Sequence, residues 1–429
     1  MEQSKINNHP VSALQYATIF VCFVMNILDG MDVLVISYCA PAIAKSWSVS
    51  PEALGAVFSS GLAGMTIGAL FLAPFADQIG RKKLILIAAL IMGASMYATS
   101  FSQNVTHLVV FRFISGIGIG SMLASTAALT AEFTPDRTKG FWVSAVIAGY
   151  PVGAVLSGLV AAEIVPEVGW QRMFQLAGWA SLITLPLIFL MLTESIEFYL
   201  KKQPVDALGK VNQILSKMGR EQMNVLPAVV APKKGIPIGD LLKEDYRRPT
   251  FQLWLALFLS FCTLYFLTSW IPKLATNAGL PMSLAIYAGT VFNVGAFFGI
   301  LIQGYLSSKL GLRRVIGSFF LLTAVLLLIF KFFVGTSALL LIFGLLGFGI
   351  QGGFVGLYAV AASMYPTAFR TTGVGWAIGI GRLGGIAGPA IGGFLIGAGL
   401  TMVANFLIFA IPTVLAGLAT FLLSSKEIS

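Results

Sequence analysis

Twelve apolar runs dominate this sequence, and each is long enough to cross a lipid bilayer as an α-helix. Six of them lie near residues 14–41, 54–75, 84–102, 107–131, 141–163 and 174–193. Six more lie near residues 250–273, 285–307, 315–334, 337–361, 373–398 and 402–424. A helix that spans the hydrocarbon core needs about 20 apolar residues. The sequence therefore predicts an all-α membrane protein with twelve transmembrane helices.

The composition agrees with this class and argues against an enzyme. Hydrophobic residues make up 57% of the chain and charged residues only 10%, whereas a soluble domain averages about 25% charged residues. The two histidines and three cysteines are scattered, without the spacing of a metal site or a disulfide framework. We see no nucleophile–base set either, so we expect no metal, no cofactor and no catalytic residues.

A polar segment at 194–249 divides the chain into two halves. We predict a first six-helix bundle at 1–193, a cytoplasmic linker at 194–249 and a second six-helix bundle at 250–429. Within the linker, "VDALGKVNQILSKMG" spaces its apolar residues along one face of a short helix. The residues predicted for that face are Val205, Leu208, Val211, Leu215 and Met218. We expect this helix to rest on the membrane surface rather than to bind a partner.

Lysine and arginine predict the orientation. If both termini are cytoplasmic, most of the 27 lysine and arginine residues fall in cytoplasmic segments, which is the positive-inside pattern. The net charge of +10 then reflects topology and the anionic inner leaflet, not a nucleic-acid partner. We expect a multi-pass protein of the cell inner (plasma) membrane.

The second half repeats the first with an offset of 231 residues. This offset matches Gly68 with Gly299, Gly116 with Gly347, and Gly153 with Gly384, among other positions. Two bundles related by a repeat predict a binding site near mid-membrane between them, with access alternating as they rock. One such unit needs no second copy, so we expect a monomer.

Charged residues inside the predicted spans are candidates for the chemistry. Asp29 and Asp32 lie in the first span in the sequence "LDGMD", and each acid costs roughly 2.5–3.5 kcal/mol at the centre of a membrane helix. Three residues apart, they share one helix face, and two such carboxylates resist ionising together. We interpret them as a proton-binding pair with Arg112, predicted at a similar height, as modulator. The alternative is an ion pair that only joins two helices.

Arg382 lies near the middle of the eleventh span, where a buried guanidinium needs an anion and fits a carboxylate with two hydrogen bonds. We predict that Arg382 holds a substrate carboxylate, with pairing to an acid of the first half as the alternative. Residues that could line a site for an aromatic acid are Asn293, Gln303, Tyr38, Tyr265, Tyr358 and Trp376, with Trp270 nearby.

Short motifs also resemble the major facilitator superfamily. "ADQIGRKK" after the second span is similar to its G-x-x-x-D-R-x-G-R-K loop, with Ala73 and Gln78 as departures, and "RFISGIGIG" resembles its R-x-x-x-G-x-G pattern. More narrowly, "DGMD" and "GRLGGIAGP" are similar to the aromatic acid:proton symporter family. The resemblance implies the major facilitator fold and favours a gate at the cytoplasmic helix ends. Its expected members are Asp77, Gly80, Arg81, Lys82, Glu132 and Arg137.

These features together predict a secondary active transporter. We expect proton-coupled uptake of a small organic, aromatic carboxylate, because a co-transported proton offsets the membrane potential that opposes anion entry. The expected partners are the organic acid, protons and the lipid bilayer. The first alternative is an antiporter or exporter of such acids, although the fifth span lacks the Gly-Pro of the superfamily's antiporter motif. The second is a membrane sensor that binds the acid without moving it.

Overall fold

The computed structural model describes residues 11–135, 137–228, 241–336, 338–365 and 370–423, a part of the chain in which twelve helices are long and apolar enough to cross a membrane. In the first half these are TM1 (Ala13–Trp47), TM2 (Pro51–Ile79), TM3 (Arg81–Thr99), TM4 (Val105–Glu132), TM5 (Lys139–Val168) and TM6 (Trp170–Met191). In the second half they are TM7 (Arg247–Asn277), TM8 (Met282–Leu310), TM9 (Leu312–Phe333), TM10 (Leu339–Met364), TM11 (Thr372–Gly397) and TM12 (Met402–Phe421). The predicted all-α membrane fold is confirmed.

Several helices extend beyond the apolar runs that predicted them. TM2 begins at Pro51, where the Ser50 hydroxyl accepts a hydrogen bond from the Ala53 amide and caps the helix. The helix that contains TM7 begins at Glu244, so residues 244–249 are helical although the sequence placed them in the linker. The reason is that hydropathy detects the part of a helix in lipid, whereas capping and backbone hydrogen bonds set where it ends.

The repeat appears in the backbone contacts of the two halves. A side chain at Gly153 would meet the carbonyl oxygen of Ile27 at 1.8 Å, and one at Gly384, 231 residues later, would meet that of Phe258 at 2.0 Å. Only glycine lets two helix backbones approach so closely. The same offset relates Gly64–Phe113 to Gly295–Gly344, Gly68–Ile117 to Gly299–Phe348, and Gly116–Gly61 to Gly347–Phe292. The sequence repeat is therefore a structural repeat.

The two halves contact each other toward the end of the bundle opposite the linker, here called the far end. The Ser37 hydroxyl of TM1 donates to the carbonyls of Thr268 and Ser269 in TM7, at 2.8 and 2.9 Å. Nearer the far end, the Tyr287 hydroxyl donates to Glu163 at 3.0 Å. Ser37 lies eight residues beyond Asp29, or about 12 Å along TM1. The bundle is therefore closed on the far side of Asp29.

Two short helices, Ile196–Lys202 and Ala207–Lys217, follow TM6 in the linker. The second is the amphipathic helix expected there, but its buried face differs from the prediction. Ala207, Val211, Ile214 and Met218 are buried, whereas Val205 is 93% exposed. Val205 precedes the helix, which begins only at Ala207, so helical spacing does not apply to it.

Candidate transport site

Asp32 and Arg112 form a buried ion pair inside the first half. Arg112 Nη1 donates to Asp32 Oδ1 at 2.5 Å, and the Ser115 hydroxyl lies 2.8 Å from each carboxylate oxygen. The carboxylate is fully buried. Arg112 and Ser115 share one face of TM4 because they are three residues apart. The pair therefore joins TM1 to TM4 and balances both charges within this half.

Asp29 has different surroundings, although it lies one helix turn from Asp32. It is only 3% exposed, and its Oδ1 has no hydrogen-bond partner in the described part of the chain. Its electrostatic neighbours are Asp32 and Arg382 of TM11. A buried carboxylate without a close counter-ion binds a proton more readily than one held by an arginine. Of the two acids of "LDGMD", Asp29 is therefore better suited to bind a proton, and Asp32 is better suited to pair with Arg112.

Gly30, between the two acids, allows this part of TM1 to pack closely against TM5. A side chain there would meet the carbonyl oxygen of Tyr150 in TM5 at 1.9 Å. TM1 and TM5 therefore touch backbone to backbone beside Asp29, and Tyr150 becomes an electrostatic neighbour of Asp29. Nothing in the sequence identifies Tyr150 as the residue that Gly30 approaches.

Arg382, in the other half, lies within electrostatic range of Asp29. It makes no hydrogen bond and no ion pair within the described ranges, and it interacts electrostatically with Asp29, Tyr265 and Tyr358. A partly buried guanidinium has five donors to satisfy. Because nothing in the described second half balances this charge at close range, Arg382 is available to an anionic ligand.

Four aromatic rings pack beside Arg382 and form what we call the aromatic box: Phe261, Tyr265, Phe354 and Tyr358. Phe261 lies 5.8 Å from Tyr265 and 4.6 Å from Phe354, and Phe354 lies 5.2 Å from Tyr358, measured between ring centroids. These separations suit offset-stacked and edge-to-face contacts. The two tyrosines were predicted as lining residues. The two phenylalanines were not predicted, because nothing in the sequence distinguishes them from the rest of the 33 phenylalanines in the chain.

Glycines on TM11 let the aromatic box approach Arg382. A side chain at Gly381 would meet the Phe261 ring at 2.6 Å, and one at Gly385 would meet the Tyr265 ring at 3.1 Å. Both glycines flank Arg382 along the helix. The rings of TM7 therefore lie directly against the TM11 backbone on both sides of the arginine.

The other predicted lining residues do not belong to the aromatic box, although two of them, Tyr38 and Asn293, interact with each other. Tyr38 donates to the Ala154 carbonyl at 2.9 Å, and Asn293 bonds to Gly289 within TM8. Gln303 bonds to Ser307 about 15 Å further along the same helix than Asn293. Trp376 lies beside Trp254, with centroids 6.4 Å apart. Trp270, named as a nearby aromatic, donates to the Pro389 carbonyl at 3.0 Å.

The linker ends of TM3, TM4 and TM6 meet in a polar network. Arg81 donates to Glu132 at 2.7 Å and to Glu197 of the first linker helix at 3.0 Å. Partial burial raises the pKa of Glu197, but the hydrogen bond from Lys201 and the charge of Arg81 outweigh it and lower the pKa to about 2. Because this pKa is lower in the folded protein, the ionised carboxylate of Glu197 stabilises the fold at every pH above the ordinary pKa of a glutamate. That stabilisation is lost only as the pH falls to about 2. The contact with Arg81 therefore persists at physiological pH.

Glu194 was not predicted, yet it caps TM3. Its carboxylate accepts hydrogen bonds from the backbone amides of Lys82 and Ser195, at 3.1 and 2.9 Å. A negative charge at the amino end of a helix is favoured by the helix dipole. Gly80 has a φ of +103°, and a side chain there would lie 2.2 Å from this carboxylate. Gly80 is therefore required both for the turn and for the space.

Two predicted gate residues do not join this network. Asp77 and Arg137 are both exposed and make no hydrogen bond or ion pair with any residue that the structure describes. Glu194 and Glu197 take the positions beside Gly80 and Arg81 instead. The sequence signal for them was the acidic pair in "TESIEFY" directly after the sixth span.

Among the described residues, no group of three His, Cys, Asp or Glu side chains could hold a metal ion.

The family model described as the Major Facilitator Superfamily matches residues 22–303 and 253–428. The chain is 34% identical to the 4-hydroxybenzoate transporter PcaK of Acinetobacter baylyi, covering 98% of this chain and 94% of the relative. It is 32% identical to the gallate transporter of Pseudomonas putida, covering 96% and 93%. A solved D-xylose-proton symporter has the same fold, with a TM-score of 0.74 at 18% identity over 96% of this chain and 98% of that one.

The twelve spanning helices of the described ranges, arranged as two repeated halves, define a multi-pass membrane transporter rather than an enzyme. The chain belongs to the major facilitator superfamily and, within it, to the aromatic acid:proton symporter family that its "DGMD" sequence indicated.

Proposed function

We propose that this protein takes up a small aromatic carboxylate together with protons, across the inner membrane, by alternating access. Both termini and the linker would lie in the cytoplasm. The named relatives transport 4-hydroxybenzoate and gallate, which supports an aromatic acid as substrate. Residues 1–10 and 424–429 lie outside the described ranges, so the orientation rests on the distribution of lysine and arginine in the sequence.

The substrate site in this proposal is Arg382 with the aromatic box. The guanidinium would bind the carboxylate with two parallel hydrogen bonds, and the rings of Phe261 and Tyr265 would contact the aromatic ring of the substrate. An apolar, aromatic lining with one charged anchor is typical of small-molecule sites. The absence of a close counter-ion for Arg382 among the described residues supports this role.

The single observation that carries the proposal is the state of Asp29. This carboxylate is buried, has an unpartnered oxygen and lies within electrostatic range of Arg382 in the other half. When a substrate carboxylate binds Arg382, it competes with Asp29 for the only nearby positive charge in the described part of the second half. Loss of that charge favours protonation of Asp29. Substrate binding and proton binding would then strengthen each other, which is the requirement for symport.

Electrical balance gives the proton a function. Entry of a monoanion into a negative-inside cell is opposed by about 2.3 kcal/mol per 100 mV. One co-transported proton removes this opposition, and a second makes entry electrically favourable. In this scheme Asp32 is held by Arg112 and Ser115, so it would position TM1 and TM4 and modulate Asp29 rather than exchange its proton in each cycle.

The test uses purified protein in liposomes, with an inward proton gradient and radiolabelled 4-hydroxybenzoate, gallate and benzoate. We expect gradient-driven accumulation by the wild type and none by Asp29→Asn, which should still exchange labelled for unlabelled substrate. Glu167→Gln, which neutralises an exposed acid near the far end of TM5, is the matched control and should behave like the wild type. Arg382→Ala should weaken substrate binding at least roughly 30-fold, because losing one partner of a buried charge pair costs about 2–5 kcal/mol.

Other outcomes distinguish the alternatives. Accumulation driven by an outward proton gradient would indicate an antiporter or exporter. Binding without flux in either direction would indicate a sensor. If Asp29→Asn abolished exchange as well as accumulation, Asp29 would belong to the substrate site and the proton role would be wrong.

A further inference from the structure

A small cavity lies between the two halves on the far side of the substrate site. Its volume is ≈ 20 Å³, and its lining includes Arg112 and Gly61 from the first half and Tyr265, Thr268 and Ser269 from the second. About 10–15 Å³ of such volume is enough for one water molecule. The cavity is therefore large enough for a single small ligand and too small for a substrate.

Two residues that line this cavity each carry a buried polar group with no hydrogen-bond partner among the described residues. These groups are Nε of Arg112, whose side chain donates to Asp32 and Met96 through Nη1 only, and the hydroxyl of Thr268. Both residues are at least nine-tenths buried, at 3% and 7% exposure. An unmade hydrogen bond at such a group is costly. The two residues come from opposite halves and line one cavity.

We propose that one water molecule occupies this cavity, accepting a hydrogen bond from Arg112 Nε and donating one to the Thr268 hydroxyl. Water fits better than an anion because Asp32 already balances the charge of Arg112. The water bridges TM4 and TM7, so it is held only while the halves are closed at the far end. Through this water, the buried Asp32–Arg112 pair is connected to TM7, which takes part in the far-end contact between the halves.

Tyr265 connects the cavity to the proposed substrate site. It lines the cavity and also belongs to the aromatic box, where it interacts electrostatically with Arg382 and Asp29. A substrate that displaces the Tyr265 ring would disturb the bridged water. The hydration site thus lies between the substrate site and the far-end closure. The effect of a substrate on the water rests on the proposed function.

Occupancy can be tested directly by pulsed radiolytic labelling of the wild type. Hydroxyl radicals formed from bound water oxidise neighbouring methionines, and Met65 lines the cavity although it is buried. We expect Met65 to be labelled well above Met173, which is buried but does not line the cavity. In Gly61→Ala, whose new methyl group would lie 3.6 Å from Arg112 Nη2, labelling of Met65 should fall to the level of Met173. Equal labelling of Met65 in both proteins would overturn the proposal.

The bridge is tested by Thr268→Val, which keeps the shape of the side chain but removes the hydroxyl, against Thr268→Ser, which keeps the hydroxyl. Spin labels at Val168→Cys and Asn277→Cys, two exposed far-end positions, report the distance between the halves. Thr268→Val should lower the ratio of closed to open far ends roughly fivefold or more, as expected for one unsatisfied buried group, while Thr268→Ser should match the wild type. Equal ratios in all three proteins, or chloride dependence of the wild-type ratio, would contradict a bridging water. Neither readout requires transport, so the proposed function can fail independently.

Discussion

The two halves of this molecule share their backbone contacts but not their chemistry. Ile27 and Gly153 in the first half correspond to Phe258 and Gly384 in the second, and both pairs bring two helices into backbone contact. At the same offset, the buried charged residues inside the spans of the first half correspond to neutral ones. Asp29 and Asp32 correspond to Ser260 and Thr263, and Arg112 corresponds to Phe343.

The comparison separates what the fold needs from what transport needs. The glycines recur because close helix packing is a requirement of each bundle. The buried charges do not recur, and Arg382, the cation nearest to the aromatic box, corresponds to Pro151 in the first half. A bundle of this shape therefore folds without a buried Asp–Arg pair, and the pair is a specialisation of one half.

The strongest test of this comparison removes the ion pair. Asp32→Thr and Arg112→Phe each introduce the residue of the second half and leave one buried charge unpaired, which should cost about 3–5 kcal/mol. The double variant Asp32→Thr/Arg112→Phe leaves neither member of this pair unpaired, so its free energy of unfolding should recover most of this loss. Unfolding in detergent micelles, followed by circular dichroism, measures all three. A double variant as unstable as either single variant would show that the charges are not the source of the loss.

The glycine contacts provide a second test, in which the two halves should respond alike. Gly153→Ala and Gly384→Ala both force a methyl group into a carbonyl oxygen, so each should cost about 1–3 kcal/mol, the usual range for overpacking. Gly304→Ala is the control, because nothing lies within 4 Å of its new methyl group. There we expect a gain of about 0.5–1 kcal/mol from higher helix propensity. Strongly unequal losses at Gly153 and Gly384 would mean that the repeat does not extend to energetics.

The smallest expected effect distinguishes the two loops that precede TM3 and TM9. Gly80 and Gly311 both have positive φ, at +103° and +87°, so alanine strains the backbone at either position. Only at Gly80 would the methyl group also displace the Glu194 carboxylate, because nothing lies within 4 Å at Gly311. Gly80→Ala should therefore cost about 0.3–1 kcal/mol more, the value of a charge at a helix amino end. Thermal unfolding of both variants in the same detergent checks this, and equal shifts would count against a capping role for Glu194.

The sequence predicted the fold well because its signals are local or periodic. Apolar run length identified the twelve spanning helices that the described residues contain, and matched glycines revealed the repeat. The height of Arg112 could be placed beside Asp32 from helix rise alone. Each of these inferences needs only spacing along one helix or a comparison of two aligned halves.

The site was less predictable because its members meet through packing between helices. Nothing in the sequence states that Arg112 pairs with Asp32 rather than Asp29, or that Gly30 rests on Tyr150. Phe261 and Phe354 have no distinguishing neighbours in sequence. Asp77 matched a motif but is exposed, whereas Glu194 matched none and caps TM3. Long-range partners of this kind require the structure.

The contacts of Glu194 and Glu197 also change how the connection between the halves should be viewed. Glu194 bonds to the start of TM3, and Glu197 pairs with Arg81, so the chain immediately after TM6 is fastened to the first half. The contacts to the first half therefore extend at least to Glu197, and the polar segment in the sequence overstates the length of chain between the two halves.

Asn212 exchanges hydrogen bonds with Met223, and the Gln203 side chain donates to the Pro227 carbonyl. We therefore expect that shortening the connection after Pro227 limits the swing between the halves. Lengthening it at the same point should have little effect on the stability of either half.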